Sequence, residues 1–282
     1  MGHPLADALQ WHIDNGVDVP VGDTPINRTA KAEPPINPPV SANNTHDAMI
    51  PALARSAPAS VPSGSFNTQK QNAIDAARAC QTLEQLREAI RAYDGLDVKR
   101  SATNMVFADG NPEARVMVIG EAPGADEDRQ GLPFVGVSGQ LLDKMFDCIG
   151  LNRANPDTKH ALYISNILNW RPPGNRTPTD AEIALALPFV ERHIAIAKPQ
   201  FLVLAGAVAA KSVLNMDQPI SKLRGKMYDY NFVTPGIGDD LPPFAAAPKI
   251  LATYHPSFLF STPVQKRKAW QDLLMLQAAI ST

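Results

Sequence analysis

The chain has 282 residues, 44% apolar and 19% charged, a balance that supports a sizeable buried core and fits a globular, water-soluble protein. Its 26 Lys and Arg against 28 Asp and Glu leave a formal charge of −2. That excludes a histone-like binder holding nucleic acid by bulk charge, so any such contact needs a local basic patch. The two cysteines, Cys80 and Cys148, form no disulfide framework, no CxxC zinc site and no ligand set for an iron–sulfur cluster.

The start, MGHPLADALQ, lacks the basic and apolar regions of a secretory signal, and no apolar run approaches the ~20 residues of a membrane span. A cytoplasmic protein is the expectation, with no membrane partner. Over residues 1–23, Leu5, Leu9, Trp11, Ile13 and Val17 have the makings of a short amphipathic segment, either an element that docks on the main domain or on a protein partner, or a weakly ordered terminus. Residues 24–66 interleave Pro34, Pro35, Pro38, Pro39, Pro51, Pro58 and Pro62 with Ala, Ser and Asn. That composition buries little and removes backbone donors, so it reads as a disordered linker. Residues 67–282 read as one domain.

Within that domain two periodicities alternate. Thr82-Leu-Glu-Gln85 has capping-box spacing and opens a helix to about Tyr93. Val116-Met-Val-Ile-Gly120 is a short apolar run ending at glycine, as buried parallel strands do. A helix over Gln140–Cys148 follows, then a strand over Ala161–Ser165. Thr179-Asp-Ala-Glu182 is a second capping box, starting a helix to about Ala197. Phe201–Ala205 reads as a third strand, Ala207–Leu214 as a small-residue helix, Ile250–Thr253 as a fourth strand and Gln265–Ile280 as a closing helix. Four alternations predict a three-layer α/β/α sandwich around a central four-stranded parallel sheet. Ligands of such sheets bind outside the carboxyl ends of the strands.

The unusual residues fall at those ends. After the first strand come Gly120-Glu-Ala-Pro-Gly124, Asp126, Glu127 and Gly131-Leu-Pro-Phe-Val-Gly136; after the second, Asn166 and Trp170-Arg-Pro-Pro-Gly-Asn-Arg176; after the fourth, His255-Pro-Ser257. Each stretch joins a Gly- or Pro-fixed path to a side chain capable of chemistry. Singly, each also suits a tight turn, a strand-end cap or a loop histidine. A nucleotide or phosphate-ester hydrolase on a similar sheet would want a carboxylate cluster or a P-loop, and Gly120–Gly124 lacks the Lys-Ser/Thr ending of the latter.

These motifs, with Leu223-Arg-Gly225, resemble in content and order those of family 4 uracil-DNA glycosylases, from about residue 100 to 276. The resemblance implies a monofunctional enzyme that flips uracil out of single- or double-stranded DNA and hydrolyses its N-glycosidic bond in base-excision repair. The alternative is a catalytically silent binder of uracil-containing or damaged DNA. The resemblance implies Glu121 and His255 as catalytic residues, with Asp126 and Glu127 competing for the work on water and sugar charge. Ala122, Phe134 and Asn166 would bind uracil: an aromatic wall, and an amide that meets O4 and N3–H together. DNA would be held by Ser138, Gly139, Arg171, Arg176, Lys222, Arg224, Lys226 and Ser257, with Phe258 or Leu259 as a wedge. Family 4 enzymes usually hold a four-iron cluster through cysteines, at positions corresponding to about Tyr93, Leu96, Trp170 and Ala186. None is Cys, which resembles a branch without the cluster and implies no cofactor and no metal. A monomer is the expectation. The stretch Asn231–Pro248 lengthens one connection with no evident purpose.

Overall fold

The computed structural model describes residues 63–281. The expected N-terminal segment and nearly all of the expected linker lie outside the described residues. Residues 63–66 are a correction to the linker, because they form the first turn of helix α1 (Ser63–Arg78). That helix escapes the periodicity argument because its buried positions, Ala73 and Ala77, are alanines and give a weak apolar stripe.

The sheet has six strands in the order β1-β3-β2-β4-β6-β5. Its centre is parallel: β2 (Val116–Gly120), β3 (Leu162–Asn166), β4 (Phe201–Ala205) and β6 (Lys249–Thr253). These are the four central parallel strands expected, and two short strands that the expectation did not include extend the sheet at its edges. There β1 (Asp109–Gly110) pairs antiparallel with β3, and β5 (Met227–Asp229) pairs antiparallel with β6. Two- and three-residue strands are too short to show a period of two.

Alternation along the strands divides the core. Met117, Ile119, Tyr163, Leu202, Leu204, Ile250 and Ala252 face one side. They meet α5 (Asp180–Ala197) and α6 (Ala207–Leu214) through Leu185, Val190, Ile194, Ala209 and Val213. Val116, Val118, Leu162, Ile164, Val203 and Leu251 face the other, packed on Leu142 and Phe146 of α4 (Val137–Asp147) and on Leu273 and Leu276 of α9 (Lys266–Ile280). Both faces are therefore covered, the three-layer sandwich that the alternation implies. A satellite cluster joins α1, α2 (Leu83–Ala92) and α5 through Leu86, Ile90 and Phe189. Both capping threonines act as read: the Thr82 and Thr179 hydroxyls accept from the N–H groups of Gln85 and Glu182.

Candidate active site

The chain leaves β2 toward β3 on one side and returns to β4 on the other, so the sheet's switch point lies at β2. At the carboxyl ends there lies a cavity of about 450 Å³. Glu121 enters it from the end of β2, Asn166 from β3, Gly206 from β4 and His255 from β6; Ala122, Phe134, Ser138, Arg176 and Ser257 complete the wall with neighbouring loop residues. A larger groove of about 870 Å³ between α1, α5 and α6 contains none of the predicted site residues.

Asn166 is 2% exposed, and its Oδ1 is buried with no hydrogen-bond partner among the described residues. A buried acceptor in that state costs about 1–3 kcal/mol, so the amide is held ready for a donor from outside. Beside it stands Phe134, 5% exposed, at φ +53°. A bulky side chain in the left-handed region carries strain of about 1–3 kcal/mol, which persists only where surroundings over-determine it. The ring lies over Gly120: a Cβ there would come within 2.4 Å of both Asn166 Oδ1 and the Phe134 ring. Glycine at this strand end is therefore what lets wall and amide meet.

His255 caps the N-terminus of α8 (Pro256–Ser261), its Nδ1 accepting from the Ser257 N–H at 3.2 Å and lying 2.7 Å from the Ser257 hydroxyl. Because Nδ1 accepts, the neutral ring carries its proton on Nε2. Burial pushes its pKa down to about 4, against the opposing pull of the Glu127 carboxylate. Its ring centroid lies 5.5 Å from that of Phe134. Gly206, at φ +100°, passes close beneath, where a Cβ would sit 3.0 Å from His255 Cβ. Glu121 is half-buried, and that burial raises its pKa above the ordinary carboxylate value.

Several predicted roles change. Glu127 lines the cavity, but its carboxylate is engaged: it accepts from the N–H groups of Gly124, Val135 and Gly136 at 2.8–3.1 Å, which binds two site loops together. On α3 (Ala125–Gln130), Asp126 pairs at the surface with Arg129. Gly139 is buried where a Cβ would meet the Phe134 carbonyl oxygen at 1.8 Å, so glycine here lets α4 pack closely on that loop. Leu259 is 1% exposed and packs on Tyr254 and Ala269, which removes it as a wedge, whereas Phe258 is 40% exposed. Arg224 turns inward, donating twice to the fully buried Asp272 and once to the Lys268 carbonyl. Arg176 pairs with Glu182 at 2.6–2.8 Å, and Arg171 donates to Asn175. Lys222 and Lys226 are exposed. Gly206, Asn175 and Arg153, which holds the Phe134 loop, were missed; nothing local to the sequence separates them from ordinary turn and surface residues.

The residues at the positions assigned to a cluster do not fit one. Leu96, Trp170 and Ala186 belong to one apolar core, with Tyr93 packed against it and donating to the Gln69 carbonyl. Trp170 Nε1 is buried with no hydrogen-bond partner among the described residues, but an indole N–H only donates and ligates no iron. Cys80 lies in the satellite cluster and Cys148 is exposed. Among the described residues no three His, Cys, Asp or Glu side chains gather as a metal-holding group, and no helix is long and apolar enough to cross a membrane.

The sequence is similar to those of known proteins. The type-4 uracil-DNA glycosylase of Pyrobaculum aerophilum is 31% identical over 197 residues, covering 68% of this chain and 92% of its own length. That of Archaeoglobus fulgidus is 32% identical over 196 residues, covering 68% and 89%. The Thermotoga maritima protein of the same name is 31% identical over 180 residues, covering 64% and 83%. The family model for the uracil DNA glycosylase superfamily matches residues 107–274, a span that holds every strand end of the cavity, and the chain belongs to that superfamily.

Proposed function

We propose that this protein is a monofunctional uracil-DNA glycosylase of base-excision repair, of a branch that works without an iron–sulfur cluster. The observation that carries the reading is the buried, unpartnered Oδ1 of Asn166 beside an aromatic wall and a neutral histidine. Uracil flipped from the stack stacks on Phe134, gives its N3–H to Oδ1 and accepts at O4 from the Asn166 amide N–H. Cytosine offers an amino donor where uracil has O4 and leaves that donor unpaired, so it is refused.

As the C1′–N1 bond breaks, its electron pair passes to the base, where charge gathers at O2. Neutral His255 donates from Nε2 to that oxygen, a preorganised contact worth about 3–4 kcal/mol in such sites. The sugar becomes oxocarbenium-like. Water adds to C1′ and loses its proton to Glu121, the carboxylate left available by the engagement of Glu127 and Asp126. Phe258 fills the space vacated in the duplex.

The test is single-turnover cleavage of a labelled oligonucleotide bearing one uracil, with EDTA present and alkali added afterwards. Strand breaks only after alkali are expected, with Asn166→Asp at least ~100-fold slower because a buried carboxylate cannot donate to O4. Tight binding of uracil-DNA without cleavage would replace this reading with that of a silent damage binder.

A further inference from the structure

One guanidinium reaches three parts of the site's frame. Arg153 lies between α4 and β3 with its side chain 13% exposed. It donates to the Pro133 carbonyl at 2.8 Å and the Phe134 carbonyl at 2.9 Å. It also pairs with Asp143 on α4 at 2.8–2.9 Å and with Asp109 on β1 at 3.0 Å. The two carboxylates fix the fork to the sheet edge and to the helix, so its free edge meets the two consecutive carbonyls with little freedom.

Those carbonyls belong to the residue bearing the aromatic wall and to its predecessor. Phe134 holds φ +53°, a conformation an unrestrained phenylalanine leaves. Glu127 grips the following N–H groups of Val135 and Gly136. The Phe134 segment is thus held from the carbonyl side by a cation and from the amide side by an anion, and the ring projects between Gly120 and His255. Arg153 is absent from the cavity lining, whereas Glu127 forms part of it.

We infer that Arg153 is a positioning residue for the base-stacking ring, fixing Phe134 in its left-handed conformation so that ring, Asn166 amide and His255 face one flipped base. The inference rests on the proposed uracil-excising activity for its kinetic consequence, though not for its geometric one. Lysine keeps the charge opposite Asp143 and Asp109 but lacks the planar fork that spans two carbonyls.

The experiment compares Arg153→Lys in the parent and in Phe134→Ala, using single-turnover uracil excision and the His255 ring-proton resonances, with those of buried His193 as reference. A small displacement of a positioning group typically costs about 10- to 100-fold, so Arg153→Lys should slow the parent about 10-fold. It should slow Phe134→Ala less than about 2-fold, since there is no ring left to position. The His255 resonances should move with the Phe134 ring current while those of His193 stay. Equal losses in both backgrounds, or an unmoved His255 signal, overturns the inference. A parent that excises no uracil sinks the functional reading alone, because the resonances still report the ring. Should Arg153→Lys fail to fold, Asp109→Asn, which frees one anchor of the fork, is read by the same two measurements.

Discussion

Enclosure decides what His255 can do. An imidazolium is disfavoured where water is excluded, and the ring's pKa falls to about 4. At neutral pH the ring is therefore a neutral donor locked in one tautomer by the Ser257 N–H. Linkage follows from the depression. Below about pH 6.5 the unfolded chain protonates this histidine while the native chain resists until about 4. The unfolded state then binds more protons, and stability falls as pH falls through that window. His255→Ala should remove one proton from this difference, flattening the decline by up to about 1.4 kcal/mol per pH unit between pH 6.5 and 4. The same variant should excise uracil about 10²–10³-fold more slowly. Chemical denaturation across pH and single-turnover rates at pH 7.5 check both, and an unchanged pH slope would contradict the neutral ring. His255 and Asn166 are legible in the sequence because polar residues directly after apolar runs fall where such sheets bind ligands. Glu127 is legible only as a carboxylate. Its partners Val135 and Gly136 lie eight and nine residues away, and Arg153 reaches Asp109 across 44 residues. No local pattern encodes contacts of that range.

At the scale of elements, the stretch 231–248 acquires a purpose. Helix α5 carries Glu191, Arg192 and His193 in succession, all buried. The Glu191 carboxylate accepts from the N–H groups of Val233 and Thr234. Arg192 pairs with Asp240 at 2.6–2.9 Å and donates to the carbonyls of Ile237 and Cys80. Aromatic contacts among Tyr230, Phe232 and Phe244 close the same stretch. The long connection is therefore a strap across α5 and the end of α1, held by charges that a helix-period reading marks as solvent-facing. Amphipathic patterning works for α4, where one face is water, and fails for α5, where the strap covers the second face. Asp240→Ala would leave the wholly buried Arg192 guanidinium unpaired. A fully buried pair broken in this way costs about 3–5 kcal/mol. Asp240 is 40% exposed, so solvent screening brings the expected loss to about 2 kcal/mol, measurable as a lower denaturant midpoint. An unchanged midpoint would mean that the strap is not fastened through this pair.

For the whole molecule the question is how a chain of formal charge −2 holds a polyanion. Reading basic residues from sequence overstates the supply, because Arg176 is committed to Glu182 and Arg224 to Asp272. Lys222 near the end of α7 (Ile220–Leu223) and Lys226 on the loop to β5, both exposed and with no ion pair among the described residues, flank the inward-turned Arg224. That division of labour predicts two different phenotypes from one loop. If the lysines meet phosphates, Lys222→Ala and Lys226→Ala should each lower the salt slope of DNA affinity by about 1, equally for uracil- and thymine-containing duplexes, because phosphate contacts carry no base information. Melting temperature should hardly move. Arg224→Ala instead strands Asp272, which is fully buried and bonded otherwise to the Thr253 hydroxyl beside the strand end that carries His255. Its signature should be a stability loss of about 3 kcal/mol with the salt slope preserved. Titrations at several salt concentrations beside thermal melts separate the two. A salt slope reduced by Arg224→Ala at unchanged stability would return that side chain to the DNA-binding surface and remove the ion pair as the anchor of the loop.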